Sequence, residues 1–183
     1  MAIIGIDCDG VLRNFGKAFL KVMRGQYPQN FDETQPLDWE LSCVTGMDPQ
    51  EISDLYNRKH AREVYVDALP LRNSVEAYQK IKAWAEEKGH ELVCVTSQKE
   101  WNRCLTMEWL AKYGFNFRKL IFATEKCREN LDFLVDDSPE FAKTWVDYRG
   151  EEGLIIFDAH YNQDAKGEFR ITNLLELMDL DLS

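Results

Sequence analysis

The sequence predicts an α/β fold in which a parallel β-sheet is flanked by helices. Three apolar runs, at residues 3–6, 91–95 and 131–135, have the length and composition of buried strands. Segments with a helical spacing of apolar residues lie between them, for example residues 75–88. Strands that alternate with helices along a chain form parallel sheets with right-handed crossovers. This alternation therefore predicts the fold class.

The first predicted strand ends in Asp7-Cys8-Asp9-Gly10. Residues two apart on a strand point to the same side, so Asp7 and Asp9 converge while Cys8 points away. Gly10 permits a sharp turn, or the close approach of a ligand to the backbone amides. Two converging carboxylates beside such amides suit the binding of Mg2+ and the attack on a phosphoryl group. A solvated acidic turn after a strand is the alternative interpretation.

Polar residues of matching chemistry follow the later predicted strands. Thr96 and Ser97 follow the second apolar run, and Asp136 and Asp137 follow the third. Lys126 lies ten residues before Asp136, in the segment that enters the third strand. Small polar residues commonly begin the loop after a buried strand, so each pair alone has an ordinary explanation. Together these residue types supply the groups of one phosphoryl-transfer site.

The remaining predicted elements continue the alternation. We expect helices at residues 75–88, 102–113, from Ser138 onward and at 171–178, and strands at 119–123 and 153–157. Ser138 is the expected N-cap of its helix, because Pro139 then occupies the first helical position. Thr172 is the expected cap of the terminal helix.

Residues 14–70 do not follow this alternation. They contain a predicted helix at residues 15–25, a Pro-containing stretch and a helix from Pro49 toward Arg62. Asp48 is a suitable N-cap for the second of these helices. An insertion placed directly after the first strand lies over the mouth of the site. We therefore expect a small helical cap, whose closure would expel water from the site.

At these motifs the sequence resembles the haloacid dehalogenase-like (HAD) phosphohydrolases, and within them the 5'(3')-deoxyribonucleotidase group. The resemblance is carried by four ordered motifs: Asp7-Cys8-Asp9-Gly10-Val11, Thr96-Ser97, Lys126 and Asp136-Asp137. Further segments also carry it: Val11-Leu12-Arg13-Asn14-Phe15, Leu69-Pro70-Leu71, Val75-Glu76-Ala77, Cys94-Val95-Thr96-Ser97, Trp109-Leu110-Ala111-Lys112-Tyr113-Gly114 and His160-Tyr161-Asn162. It implies a Rossmann-like HAD core formed by residues 1–13 and 71–183. It also implies a helical cap, formed by residues 14–70.

Three residues depart from the pattern of the resembled group. Arg13 stands where a small residue is usual, and Gln98 replaces a Pro that often follows Thr-Ser. Ser138 replaces an Arg that often follows Asp-Asp. These departures leave the predicted chemistry intact and bear on the choice of substrate.

The resemblance implies a Mg2+-dependent phosphatase that hydrolyses nucleoside monophosphates, with deoxyribonucleotides favoured, through an aspartyl-phosphate intermediate. Asp7 is the predicted nucleophile, and Asp9 the group that protonates the leaving oxygen and then activates water. The predicted phosphate-binding residues are Gly10, Thr96, Ser97 and Lys126, and the predicted Mg2+ ligands are Asp7, the backbone carbonyl of Asp9 and Asp136. Asp137 is expected to orient Lys126 or a metal-bound water.

Four residues are predicted to contact the rest of the substrate: Phe15, Phe19, Trp39 and Arg103. Phe15 and Phe19 lie one helical turn apart and share a face, and the resemblance places an aromatic side chain at the Phe15 position near the nucleobase. Packing of the cap on the core explains the aromatic residues equally well. Arg103 follows the Thr-Ser strand end closely enough to reach a phosphate.

Two other functions remain open at this stage. A HAD phosphatase of a sugar phosphate would use the same chemistry on a different ester. A phospho-accepting or Mg2+-binding regulatory module would also use clustered Asp residues, a hydroxyl and a Lys. In such modules, however, the accepting Asp comes from a later strand than the acidic pair. The order found here, with a cap after the first strand, favours the enzyme.

Composition limits the partners and the location. The net charge of −10 argues against a nucleic-acid polymer, which requires a basic face. No apolar stretch of about 18 residues is present, so we expect no membrane span. Five cysteines without a Cys-x-x-Cys pair predict a reduced, cytoplasmic protein without a zinc site. The expected partner is a small phosphorylated molecule, and a homodimer is left open.

Overall fold

The computed structural model of the chain describes residues 1–30, 41 and 45–182. In this part of the chain, six strands form one sheet: β1 (Ile3–Ile6), β2 (Glu91–Thr96), β3 (Leu120–Phe122), β4 (Phe133–Asp136), β5 (Leu154–Phe157) and β6 (Phe169–Ile171). Their spatial order is β3-β2-β1-β4-β5-β6, and every neighbouring pair is parallel. The predicted α/β fold with a parallel sheet is confirmed.

The helices of the described residues are α1 (Phe15–Gln26), α2 (Pro49–Asp54), α3 (Ala61–Tyr65), α4 (Ser74–Lys88), α5 (Arg103–Tyr113) and α6 (Pro139–Arg149). A π-helical turn at Leu55–Lys59 joins α2 to α3. Short 3-10 turns occur at Pro28–Asn30, Glu100–Asn102, Lys126–Arg128 and Leu174–Asp179. The N-caps Asp48 and Ser138 accept from backbone amides of the first helical turn, as the sequence predicts. No helix in the described ranges has the length and apolar character of a membrane span.

Packing on both faces of the sheet explains why its strands are almost continuously apolar. On one face, Tyr78 and Ile81 of α4 and Trp109 of α5 pack with Leu177 against the sheet. On the other face, Trp145 of α6 packs with the inner strands. The central strand β1 is thus shielded from water on both sides, and its backbone is held in a fixed register.

The C-terminal region differs from the prediction of a helix at residues 171–178. Ile171 ends the unpredicted strand β6, where it pairs with Phe157. The following turn is a 3-10 helix, Leu174–Asp179, capped by Asn173 rather than by Thr172. The side chain of Asn173 accepts from the backbone amide of Leu175, and the side chain of Glu176 accepts from the backbone amide of Asn173. These two side chains form a reciprocal capping box.

Helices α1, α2 and α3 and the π-helical turn pack on one another above the carboxyl edge of the sheet. Their apolar interior is formed by Phe19, Val22, Met23, Ile52, Leu55 and Val64. Two chain segments connect this cap to the core, and they are hydrogen-bonded to each other between Asn14 N and Leu69 O (2.9 Å). The exact boundaries of the cap, residues 14 and 70, stay a prediction.

Candidate active site

The carboxyl ends of β1 and β4 bring three carboxylates together. Asp7 directly follows β1, Asp136 is the last residue of β4, and Asp137 follows it. Their side chains are almost completely buried, and one carboxylate oxygen from each lies within 4.8 Å of the others. Parallel strands place their carboxyl ends at one edge of the sheet, and this is why residues 130 positions apart in the chain meet there.

Lys126 bridges two of these carboxylates. Its Nζ donates to Asp7 Oδ1 and to Asp136 Oδ2, at 2.7 Å in both cases. The side chain belongs to the 3-10 turn that precedes β4, and it is buried. The other oxygen of Asp136 accepts from the backbone amide of Ser138 at 2.9 Å. Lys126 and this amide therefore hold two of the three acids in place.

Burial and mutual repulsion shape the charge of the cluster. Burial is the largest influence on Asp7, and with repulsion from Asp136 and Asp9 it outweighs Lys126 and raises the pKa of Asp7 to about 7. The pKa of Asp137 is raised well above its ordinary value, first by burial and then by Asp136 and Asp7. Burial opposes the charge of Lys126, but Asp136 and Asp7 raise its pKa above the ordinary value. These raised pKa values reflect the excess of negative charge that three ionised acids facing one ammonium would have.

This excess suits a divalent cation with oxygen ligands. Mg2+ prefers carboxylate and carbonyl oxygens and keeps several waters, so a cluster of this size fits it. Among the described residues, the group of carboxylates consists of Asp7, Asp136 and Asp137. Asp137, expected from the sequence to orient other groups, is thus also placed to act as a ligand. The Asp9 side chain is not part of this group, and its predicted contribution through the backbone carbonyl stays a prediction.

Asp9 is held by two side chains that the sequence analysis did not assign to the site. Arg13 donates from Nε to Asp9 Oδ1 (2.6 Å) and from Nη2 to Oδ2 (2.9 Å). The side-chain amide of Gln98 also donates to Asp9 Oδ2. Arg13 and Gln98 are two of the departures from the resembled pattern, and this was the signal available in the sequence.

The backbone turn after β1 determines what Gly10 does. Gly10 has φ of +81°, a conformation that residues with a β-carbon rarely adopt. Its N–H donates to the carbonyl oxygen of Arg13 at 3.0 Å, so this amide is already paired within the turn. Gly10 therefore serves the turn and its close contact with Asp137, and the predicted amide contact to phosphate would require the Arg13 bond to open.

The cluster forms the floor of a cavity of about 790 Å3 between core and cap. Asp7, Asp9, Thr96, Ser97 and Lys126 all line it, so the structure brings these predicted residues together. Gly10 and Asp137 line it as well. Thr96, the last residue of β2, is buried, and Ser97 follows it into the cavity.

Aromatic and aliphatic side chains of the cap form the opposite wall. Phe15, Leu20, Leu41, Tyr56 and Tyr65 line the cavity there. The rings of Phe15 and Tyr56 are perpendicular, with centroids 5.4 Å apart. An apolar wall above a charged floor accommodates a molecule with a phosphate at one end and a flat apolar group at the other.

The remaining predicted substrate contacts lie elsewhere. Phe19 is fully buried in the interior of the cap and does not line the cavity. Arg103 is exposed at the start of α5, with its guanidinium 5.1 Å from the ring centroid of Phe122. Trp39 lies outside the described residues.

Tyr161 and Asn162 support Asp137 from the loop after β5. The Tyr161 hydroxyl donates to Asp137 Oδ2, and the Asn162 amide donates to the Asp137 carbonyl oxygen at 2.7 Å. Asn162 also donates to the carbonyl oxygen of Phe157 at the end of β5 (2.9 Å). No role was predicted for these residues, because their contact with Asp137 depends on the packing of two loops. The signal in the sequence was the resemblance that His160-Tyr161-Asn162 carries.

The fold of this chain is similar to that of hydrolases of the HAD superfamily. A HAD-like hydrolase from Streptococcus pneumoniae has a similar structure, with a TM-score of 0.67, 11% identity and coverage of 98% of this chain and 97% of that one. A HAD-superfamily hydrolase of subfamily IA from Geobacter sulfurreducens has a TM-score of 0.60, with 15% identity and coverage of 99% and 100%. At these identities the likeness concerns the fold.

The family follows from the sequence comparison. The model of the family described as "5' nucleotidase, deoxy (Pyrimidine), cytosolic type C protein" matches residues 1–182, and the chain belongs to this family. A protein of Bordetella pertussis described as "Putative 5'(3')-deoxyribonucleotidase" is 25% identical over 179 residues, which cover 92% of this chain and 90% of that protein. The protein is a phosphoric monoester hydrolase of the 5'-nucleotidase kind, and the resemblance found in the sequence is confirmed.

Proposed function

We propose that the protein hydrolyses nucleoside monophosphates, with deoxyribonucleotides preferred, in a Mg2+-dependent reaction through an aspartyl-phosphate on Asp7. The observation that supports this most directly is the position of Asp7. It is buried between Lys126 and two further acids, on the floor of a cavity with an aromatic wall. The family supports the substrate class, and its cytosolic description supports a cytoplasmic location. The homodimer left open by the sequence stays a prediction.

In the first step, an oxygen of Asp7 forms a bond to phosphorus while the bond from phosphorus to the ester oxygen breaks. Lys126 holds Asp7 Oδ1, so Oδ2 is the oxygen available for attack. Asp9 gives a proton to the leaving oxygen, and the nucleoside departs. Splitting the displacement in this way replaces one difficult step with two easier ones.

In the second step, water attacks phosphorus and the bond to Asp7 breaks. Asp9 takes the proton from the attacking water, and phosphate leaves as the Asp7 carboxylate is restored. Lys126 offsets the charge that develops on the phosphoryl oxygens, and Thr96 and Ser97 contact the same oxygens. Mg2+ bound by Asp7, Asp136 and Asp137 would neutralise phosphate charge and orient the phosphoryl group.

The cap wall is the proposed binding surface for the nucleoside. Phe15 and Tyr56 present aromatic surface to the cavity, and flat bases stack on such surfaces. Of the predicted substrate contacts, Phe15 keeps this role, while Phe19 and Arg103 are given none.

The test is phosphate release from 5'- and 3'-deoxyribonucleotides, the matching ribonucleotides and glucose 6-phosphate, each with Mg2+ and with a chelator. Wild type is compared with Asp7→Asn and with Asp147→Asn, a control because Asp147 is exposed and pairs only with Lys143 in the described structure. We expect Mg2+-dependent phosphate release that is highest for deoxyribonucleotides. The rate of release should fall by about 10³-fold or more in Asp7→Asn and stay at the wild-type value in Asp147→Asn. Release from the sugar phosphate alone would support the proposed chemistry and refute a nucleotide as the substrate. Release from no ester would refute the proposed phosphatase activity.

A further inference from the structure

Arg13 is a fully buried arginine next to the proposed acid and base. Its guanidinium forms a two-pronged bond to both carboxylate oxygens of Asp9, at 2.6 and 2.9 Å. Such paired bonds fix the plane of a carboxylate as well as its position. Gln98 adds a third donor to Asp9 Oδ2, from the core side of the cavity. The orientation of Asp9 is therefore set by these two neighbours.

The same guanidinium also reaches the cap. Arg13 Nη1 donates to the backbone carbonyl of Tyr65, at the end of α3, at 3.0 Å. Arg13 Nη2 donates to Thr106 Oγ1 of α5 at 3.3 Å. The aromatic rings of Tyr65 and Trp109 enclose its Cζ atom, with centroids 4.9 and 5.2 Å away. Arg13 thus contacts Asp9, the cap and the core at once.

A buried guanidinium is unfavourable unless its charge is paired. Among the described residues, Asp9 is the carboxylate that pairs with it. Packing alone would be served by an apolar side chain between the Tyr65 and Trp109 rings. The charge and the fork geometry are explained by Asp9, and a lysine could not reproduce the fork.

We propose that Arg13 is a positioning residue for the reaction: it fixes the Asp9 carboxylate and ties its orientation to the seating of α3 on the core. This inference rests on the proposed function of Asp9. Asp9 faces the substrate in the required orientation when the Tyr65 carbonyl holds the guanidinium. Displacement of α3 releases the guanidinium of Arg13 and, with it, the carboxylate of Asp9.

The test compares Arg13→Lys and Arg13→Met with Arg62→Met. Arg62 of α3 also joins the cap to α5, through two bonds to Glu108 at 2.6 and 3.1 Å, but it has no contact with Asp9. This pair is exposed and should contribute less than about 1 kcal/mol to the seating of α3. We expect both Arg13 variants to lower kcat by about 10- to 100-fold, because small misplacements of a reacting group have such costs. KM should change by less than about threefold, as the cavity wall remains. Arg62→Met should retain wild-type kcat.

A second arm repeats the Arg13 variants in an Asp9→Asn background. If Arg13 acts through Asp9, replacing Arg13 in the Asp9→Asn protein should lower kcat by less than about twofold relative to Asp9→Asn itself. A full additional loss would overturn the proposal, as would an equal loss of kcat in Arg62→Met. Gln98→Leu removes the other donor to Asp9, and it replaces the Arg13 variants if these fail to fold.

The urea unfolding midpoints of wild type, Asp9→Asn, Arg13→Lys and the double variant give a readout that needs no activity. Additive shifts would show that the two side chains are uncoupled and would overturn the proposal. A wild type inactive on every ester refutes the proposed function. An active wild type whose Arg13 variants have unchanged kcat refutes only the positioning role.

Discussion

Gly10 lies directly against the carboxylate of Asp137. A β-carbon placed on Gly10 would be 1.9 Å from Asp137 Oδ2, far inside van der Waals contact. Asp137 cannot move freely, because Tyr161 hydrogen-bonds to its carboxylate and Asn162 to its backbone carbonyl. The turn after β1 and the acid pair after β4 therefore fit together only when residue 10 has no side chain.

We expect Gly10→Ala to displace Asp137 and to abolish most of the phosphatase activity. The left-handed backbone adds about 1–2 kcal/mol of strain. Gly89→Ala is the control, since Gly89 has a left-handed backbone with φ of +74° but no atom within 4 Å of an added β-carbon. That variant should lose a similar 1–2 kcal/mol of unfolding free energy, roughly, and keep its kcat. Equal kcat in the two variants would show that the contact with Asp137 is unimportant.

Lys126→Met should destabilise the protein strongly when Mg2+ is absent. Removal of the ammonium leaves Asp7 and Asp136 facing each other without the cation that pairs with both, and breaking a buried ion pair costs about 3–5 kcal/mol. Urea unfolding with a chelator measures this loss. Lys143→Met provides the control, because its pair with Asp147 is exposed and should contribute less than about 1 kcal/mol.

Addition of Mg2+ should restore part of the stability that Lys126→Met loses, because a cation can replace the missing positive charge. The rise in unfolding free energy on adding Mg2+ should therefore be larger for Lys126→Met than for wild type. An equal rise in both proteins would argue against a shared charge balance at the cluster.

Two phenylalanines on one helix should differ in what they affect. Phe15→Ala removes part of the cavity wall, so KM for nucleotides should rise while KM for glucose 6-phosphate stays the same. Phe19→Ala instead empties the interior of the cap, and it should lower the unfolding free energy by about 3–5 kcal/mol. Steady-state kinetics and urea unfolding of both variants separate the two effects. Similar KM values for nucleotides in Phe15→Ala and Phe19→Ala would refute a role of Phe15 in the cavity wall.

The sequence predicted those parts of the site that depend on strand ends. Asp7, Thr96 and Asp136 were found because apolar runs mark the strands, and parallel strands bring their carboxyl ends together. Lys126 could be assigned from its place in the motif order. The class of fold followed from the same alternation of strands and helices.

Contacts that depend on tertiary packing could not be predicted in this way. The fork from Arg13 to Asp9 requires the turn geometry at Gly10 and the burial of Arg13 under Tyr65. Strand β6 has the charged Arg170 between Phe169 and Ile171 and therefore offers no apolar run in the sequence, and it forms because it pairs with β5. Phe19 and Phe15 share one helical face, but only the packing of the cap separates an interior position from the cavity wall.

His90 should make the stability of the fold depend on pH. Its Nδ1 accepts from the backbone amide of Ala2 at 3.1 Å, and a protonated Nδ1 cannot accept this bond. Burial, and then the charges of the amino terminus and Lys88, lower the pKa of His90 below its ordinary value of 6.5. Below pH 6.5 the unfolded chain therefore binds a proton that the folded protein does not. The contribution of His90 is complete above pH 6.5 and is lost as the pH falls.

His90→Asn isolates this effect from the titration of the many carboxyl groups, because asparagine keeps an acceptor and does not titrate. We expect the unfolding free energy of wild type, relative to His90→Asn, to be larger at pH 8 than at pH 5. Urea unfolding of both proteins at several pH values measures the difference. His160→Asn is the control, because it makes the same replacement at a histidine outside the contact between His90 and Ala2. A difference between wild type and His90→Asn that does not vary with pH would show that the Ala2 bond is independent of protonation.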